Sequence, residues 1–224
     1  MNYTLIKDVL DLVQAFEQRE RGKAAYEETV TGFRSWLMAG SKGEAAAVAP
    51  DWENKENGRS PESVISTLIL HMSRYARAYS KAAIHGSGFS TQEDFIYLIN
   101  LKAFGPLTKT ALIKKNVQEK PAGMQIINRL LSSGWVEQTD SPKDKRSKVI
   151  GITAAGVAVL DAQMDKIRQA SRLVTGDLTQ EEQLELIRLL TKLDDFHNPL
   201  YCQNLKPDAL LEKALQHQNK PQTK

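Results

Sequence analysis

The chain has 224 residues, of which 41% are hydrophobic and 25% charged, a balance that supports a substantial apolar core and excludes a wholly disordered protein. No apolar run approaches the roughly 18 residues a membrane span requires, and Met1 to Asp8 lacks a basic stretch followed by an apolar signal core, so a cytoplasmic location is expected. Thirty Lys or Arg against 27 Asp or Glu leave a net charge of +3, and the single cysteine, Cys202, cannot close an internal disulfide.

Thr4 to about Met38 reads as helix, with Leu5, Val9, Leu12, Val13 and Phe16 on one face and Tyr26, Val30, Phe33 and Leu37 continuing the stripe. This predicts an N-terminal helical arm over 1–39, marginal alone and expected to pack on the body or on a second subunit. Residues 40–59, with Gly40, Ser41, Gly43 and Pro50 and a polar run at 53–58, read as a linker that Trp52 partly anchors. Ser60, Pro61 and Glu62 then supply a cap, a first-turn proline and an acid at the positive end of the next helix. Its stripe, Ile65, Leu68, Met72, Tyr75 and Tyr79, recurs at close to seven residues and suits helix pairing. Ser90 and Glu93, in capping-box spacing, open a further helix that carries Phe95, Ile96, Leu98, Ile99 and Leu101 and stops near Gly105 and Pro106.

From Leu107 to Thr153 the pattern is a helix-turn-helix followed by a hairpin, the DNA-binding core of about residues 90–153. Thr108 caps a short helix to about Asn116, and Val117, Gln118 and Glu119 connect it to a second helix that opens at Pro121 and ends at Gly134. Pro121 suits a first helical turn, and Gly134 suits the residue just past a helix end, where positive φ is needed. Ile126, Ile127, Leu130 and Leu131 make the apolar stripe of the second helix, which leaves Lys120, Gln125 and Arg129 as its outward residues. Beyond Gly134, two β-branched and apolar runs flank the turn-rich segment 140–147, which predicts strand, loop and strand, a wing. Between Thr108 and Ile150 nine Lys or Arg face four acids, so this fifth of the chain holds a larger positive excess than the whole chain. Lys109, Lys115, Lys120 and Lys145 or Lys148 are the candidates for phosphate charge, with Gln125 and Arg129 the candidates for base edges.

Thr153 caps a long helix to about Thr175, and Thr179 with Glu182 forms a capping box for another, apolar at Leu184, Ile187, Leu190 and Leu193, to Phe196. A short tail helix follows within 198–224. The stripes of these helices have little else in one chain to cover them, so a homodimer is expected. The four histidines show no metal-ligand spacing with one another or with Cys202, and the chain has neither a Gly-rich phosphate loop nor a Gly-x-Ser-x-Gly elbow. No cofactor, no metal and no enzymatic reaction is expected.

The runs Leu107 to Ile113, Asn128 to Glu137, Asp144-Lys-Arg-Ser147 and Ile152 to Gly156 resemble the MarR family of transcriptional regulators, over roughly Glu62 to Phe196. The fold the resemblance implies is mainly α with a small β-hairpin wing, a winged helix-turn-helix with flanking dimerisation helices across 60–197. It also implies sequence-specific binding of double-stranded DNA by a homodimeric repressor that a small aromatic effector relieves. The wing arginine of the family enters a minor groove and an aspartate two residues earlier holds it, roles that fall on Arg146 and Asp144. A guanidinium, less strongly hydrated than an ammonium, suits such a groove. Pro121, Ala122 and Gly123 stand where the family usually begins its recognition helix with Ser or Thr. For the effector, Tyr75, Tyr79 and Phe95 are the candidate pocket residues, with core packing as their competing role. The alternative function is a winged-helix protein-interaction module without DNA affinity.

Overall fold

The computed structural model describes residues 3–18, 26–44, 50–141 and 148–219. The chain divides into two compact units, Met1–Ile65 and Ser66–Lys224.

In the first unit, α1 (Tyr3–Gln18) and α2 (Val30–Glu44) are separate helices, so the single helix expected over 4–38 is two and the helical part extends past the expected linker start at residue 40. Three rings hold them together: Phe16, only 5% exposed, lies 5.3 Å from Phe33 and 5.4 Å from Trp36, centroid to centroid. Trp52 anchors the following loop as expected, its indole N–H donating to the Arg59 carbonyl at 2.8 Å. Helix α3 (Pro61–Ala83) begins in this unit and continues into the second.

The second unit is built on α4 (Gln92–Phe104), α5 (Lys109–Lys115), α6 (Lys120–Ser132) and α7 (Ala154–Thr175), with a sheet of β1 (Leu107–Thr108), β2 (Val136–Asp140) and β3 (Lys148–Ile152). The wing is therefore three-stranded and antiparallel, in the order β1-β3-β2. Two residues of strand carry no periodicity, and β1 exists because Leu107 and Thr108 pair with Ile150 and Val149. Its last residue is also the N-cap of α5, the Thr108 hydroxyl accepting from the Ala111 N–H at 3.1 Å. Tyr97, Leu98, Leu101, Leu112, Ile127, Leu130, Ile150 and Leu160 are the largest fully buried apolar side chains among the described residues, so one core ties α4, α5, α6, β3 and α7 together.

Helix ends follow local chemistry. At the end of α6, Gly134 takes φ +69°, with the Trp135 N–H donating to Leu130 and the Gly134 N–H to Leu131, a Schellman motif. The capping box of α4 is formed by Thr91 and Asp94, one residue later than the expected Ser90 and Glu93. Thr153 caps α7, and Thr179 with Glu182 caps α8 (Gln180–Cys202). Helix α8 runs six residues past the expected stop at Phe196 and takes Pro199 into its final turns, before α9 (Pro207–Gln218). Among the described residues no helix is long and apolar enough to cross a membrane, and no three His, Cys, Asp or Glu gather as a metal site.

Candidate nucleic-acid interface

Helix α6 is held from behind by its apolar face. Ile126, Ile127 and Leu130 are buried, and Gly123 sits so close to α5 that a Cβ there would meet Ile113 Cγ1 at 2.5 Å and the Tyr97 hydroxyl at 3.0 Å. The Pro-Ala-Gly start of this helix thus has a packing cause: the third position admits no side chain. On the opposite face Pro121, Gln125, Asn128 and Ser132 fall at i, i+4, i+7 and i+11 and are all exposed, with exposed Lys120 at the helix start.

Arg129 does not belong to that outer face, and the expectation that it would meet base edges is corrected. Its Nε donates to Asp94 Oδ1 at 2.9 Å, and its Nη2 donates to the same oxygen and to the Thr91 hydroxyl at 3.1 Å. The other Asp94 oxygen accepts the Ser90 and Thr91 N–H groups at 2.8 and 3.0 Å. Asp94 is the one fully buried charged residue among those described, and the Arg129 guanidinium is what makes its burial tolerable. One side chain of α6 therefore locks the helix to the N-terminus of α4. The polar residue left beside Gln125 is Asn128, which the sequence reading passed over and which a three-residue step from Gln125 would have found.

The basic residues have varied settings. Lys120 is exposed at the positive end of α6, and Lys109 is half-buried in the first turn of α5. The Lys115 ammonium lies 3.5 Å from the centre of the exposed Phe104 ring, a cation–π contact that draws it along the surface. Lys148 pairs across the base of the wing with its register partner Asp140. Asp144, Lys145 and Arg146, between β2 and β3 in sequence, lie outside the described residues.

Of the expected effector residues, Phe95 is core rather than pocket: it is 5% exposed and packs edge-on against Phe89 at 6.2 Å. Tyr75 and Tyr79 are exposed on α3. A cleft of about 240 Å³ instead opens between α4 and α7, with Ile99, Leu160 and Met164 as its apolar walls and Lys102, Asp161 and Arg168 as its polar ones. Lys102 and Asp161 are hydrogen-bonded across it at 2.6 Å.

Comparison with known proteins extends this geometry. A family model described as MarR family matches residues 87–147, the segment from Ser87 through β2 that ends just before β3. The HTH-type transcriptional repressor NicR of Pseudomonas putida is 31% identical over 105 residues, which make up 47% of this chain and 66% of NicR, just under two thirds of its length. Among solved structures, a cysteine-to-serine variant of MarR from Escherichia coli complexed with operator DNA aligns with TM-score 0.54 and 23% identity, over 64% of this chain and 99% of that one. BpsR of Bordetella bronchiseptica, described with regulation of its DNA binding by 6-hydroxynicotinic acid, aligns with TM-score 0.56 and 20% identity, over 61% of this chain and 97% of that one. At these identities the structural likeness is one of fold.

Proposed function

We propose that the chain is a MarR-family transcriptional regulator, on the family-model match over residues 87–147 and the likeness to NicR, and that it acts as a homodimeric repressor of duplex DNA whose grip a small aromatic acid releases. The observation that carries the reading is the outer face of α6, where Lys120, Gln125 and Asn128 stand exposed on a helix pinned from behind by Arg129. Side chains that read base edges need a rigid platform, and amide side chains pair with adenine in the major groove. Lys120 and Lys109 supply phosphate charge, and the roles that the family resemblance implies for Arg146, a minor-groove contact, and for Asp144 and Lys145 beside it in sequence belong to the same proposal. Lys115 and Lys148 add charge once DNA competes for them. The two α6 helices of a dimer then enter successive major grooves about one turn apart.

The same reading puts the effector in the α4–α7 cleft, whose apolar walls suit a ring; its negative charge would take Lys102 from Asp161 and Arg168 from Asp165, the carboxylates that pair them in its absence. Support for a ligand of this class comes from BpsR, an aligned regulator described with 6-hydroxynicotinic acid. Binding there regulates only if it favours one arrangement of the two DNA-binding lobes over the other.

Fluorescence-anisotropy titration against duplex DNA from upstream of the protein's own gene, at two salt concentrations and beside an unrelated duplex, tests the proposal. The expected result is a preference of about a thousandfold or more for the upstream duplex, lost in part on Gln125→Ala or Asn128→Ala. Absence of binding to any duplex at low salt, where charge alone should suffice, would sink it and turn the winged surface toward an acidic protein partner.

A further inference from the structure

The end of α8 is seated on the turn of the helix-turn-helix. The Tyr201 phenol donates to the Gln118 carbonyl at 2.6 Å, the Lys114 ammonium donates to the Cys202 carbonyl at 3.4 Å, and Leu200 beside them is 5% exposed. Both hydrogen bonds end on main-chain oxygens, so they report where the backbone lies rather than which rotamer a side chain prefers. The Cys202 carbonyl is one of the acceptors a helix leaves open at its C-terminus, and a cation there also suits the negative end of the helix. The turn itself is strained: Val117 takes φ +49°, a left-handed conformation that β-branched residues avoid and that persists where neighbouring contacts hold it. Tyr201 holds Gln118, just after it, and Lys114, three residues before it, is tied to the end of α8.

The other end of α8 has a different task. Leu184, Ile187, Leu190 and Leu193 are all at least 40% exposed, an apolar surface on a helix whose tip is already engaged. From Ile187 to Tyr201 is fourteen residues, roughly 21 Å of helix. A rod that meets a partner along one part and holds the α5–α6 turn at its tip converts the dimer geometry into the position of α6. We propose that Tyr201 is a positioning residue that fixes the helix-turn-helix against α8 and so sets the distance between the two α6 helices of the dimer. The proposal rests on the DNA-binding dimer put forward above.

The test compares the full-length protein with Tyr201→Phe, which removes one oxygen and keeps the ring. Wild type is first used to select a two-half-site duplex from a randomised pool, and both proteins are then titrated against that duplex and against the same duplex with one base pair inserted between the half-sites. The expected outcome is that Tyr201→Phe remains a dimer by sedimentation and that its discrimination between the two duplexes falls roughly two- to tenfold, the range a single hydrogen bond supports. Unchanged discrimination overturns the proposal. Equal weakening on both duplexes also overturns it, because a merely structural loss would not change the preferred spacing. Failure of wild type to enrich any duplex is a separate result that removes the DNA-binding reading and this inference together.

Discussion

Tyr97 brings a hydroxyl to the closest approach between α4 and α6, where it is fully buried and has no hydrogen-bond partner among the described residues. Burial, with smaller contributions from Tyr201 and Glu93, pushes its pKa from the ordinary 10.0 up to about 12. Because the folded value is the higher one, the folded state binds the proton more tightly than the unfolded chain. Its contribution is fully present below pH 10 and is lost as pH rises toward 12. Tyr97→Phe is therefore expected to be neutral or stabilising by up to about 1 kcal/mol at pH 7, with a shallower loss of stability above pH 10 in urea titrations; parallel alkaline losses in both proteins would contradict this. Arg129 teaches a related lesson about legibility. Positions 128 and 129 flank Gln125 on α6 and differ by about 100° around the helix axis, so periodicity admits either as its outward neighbour. Only Asp94, thirty-five residues earlier and buried by the tertiary fold, draws Arg129 inward and leaves Asn128 outside.

Elements whose ends are set by neighbouring residues are legible in the sequence. Thr108, Thr153 and Thr179 cap the helices they were expected to cap, and Gly134 ends α6, because each signal is complete within four residues. Where two local solutions competed, the outcome moved by one residue, as at Thr91 and Asp94. Strand β1 was not readable, since its cause is the β3 edge some forty residues away. Gly123 shows the same dependence, for its lack of a side chain makes sense only against Ile113 and Tyr97. Gly123→Ala should add a methyl where none fits and cost about 1–3 kcal/mol, measured as a lower urea midpoint, with duplex affinity reduced as α6 shifts. An unchanged midpoint would mean that α6 can move off α5 at no cost.

For the whole molecule the largest unassigned feature is apolar surface. Leu68, Ile69, Met72 and Tyr75 on α3, together with Leu184, Ile187 and Leu190 on α8, are exposed in a single chain, more than a monomer normally leaves in water. On the DNA-binding dimer proposed above, Ile187→Glu is expected to give a monomer in sedimentation velocity at micromolar concentration and to lower duplex affinity at least tenfold, since each half-site would then be bound alone; a variant that stays dimeric would move the interface elsewhere. The winged helix-turn-helix order, the caps and the concentration of positive charge were all determined by the sequence alone, because each is written in residues close together along the chain. Which amide stands beside Gln125, why Phe95 is core while a cleft opens between α4 and α7, and how α8 grips the turn were decided only by the tertiary structure. Each of these depends on residues tens of positions apart whose contact no local pattern encodes.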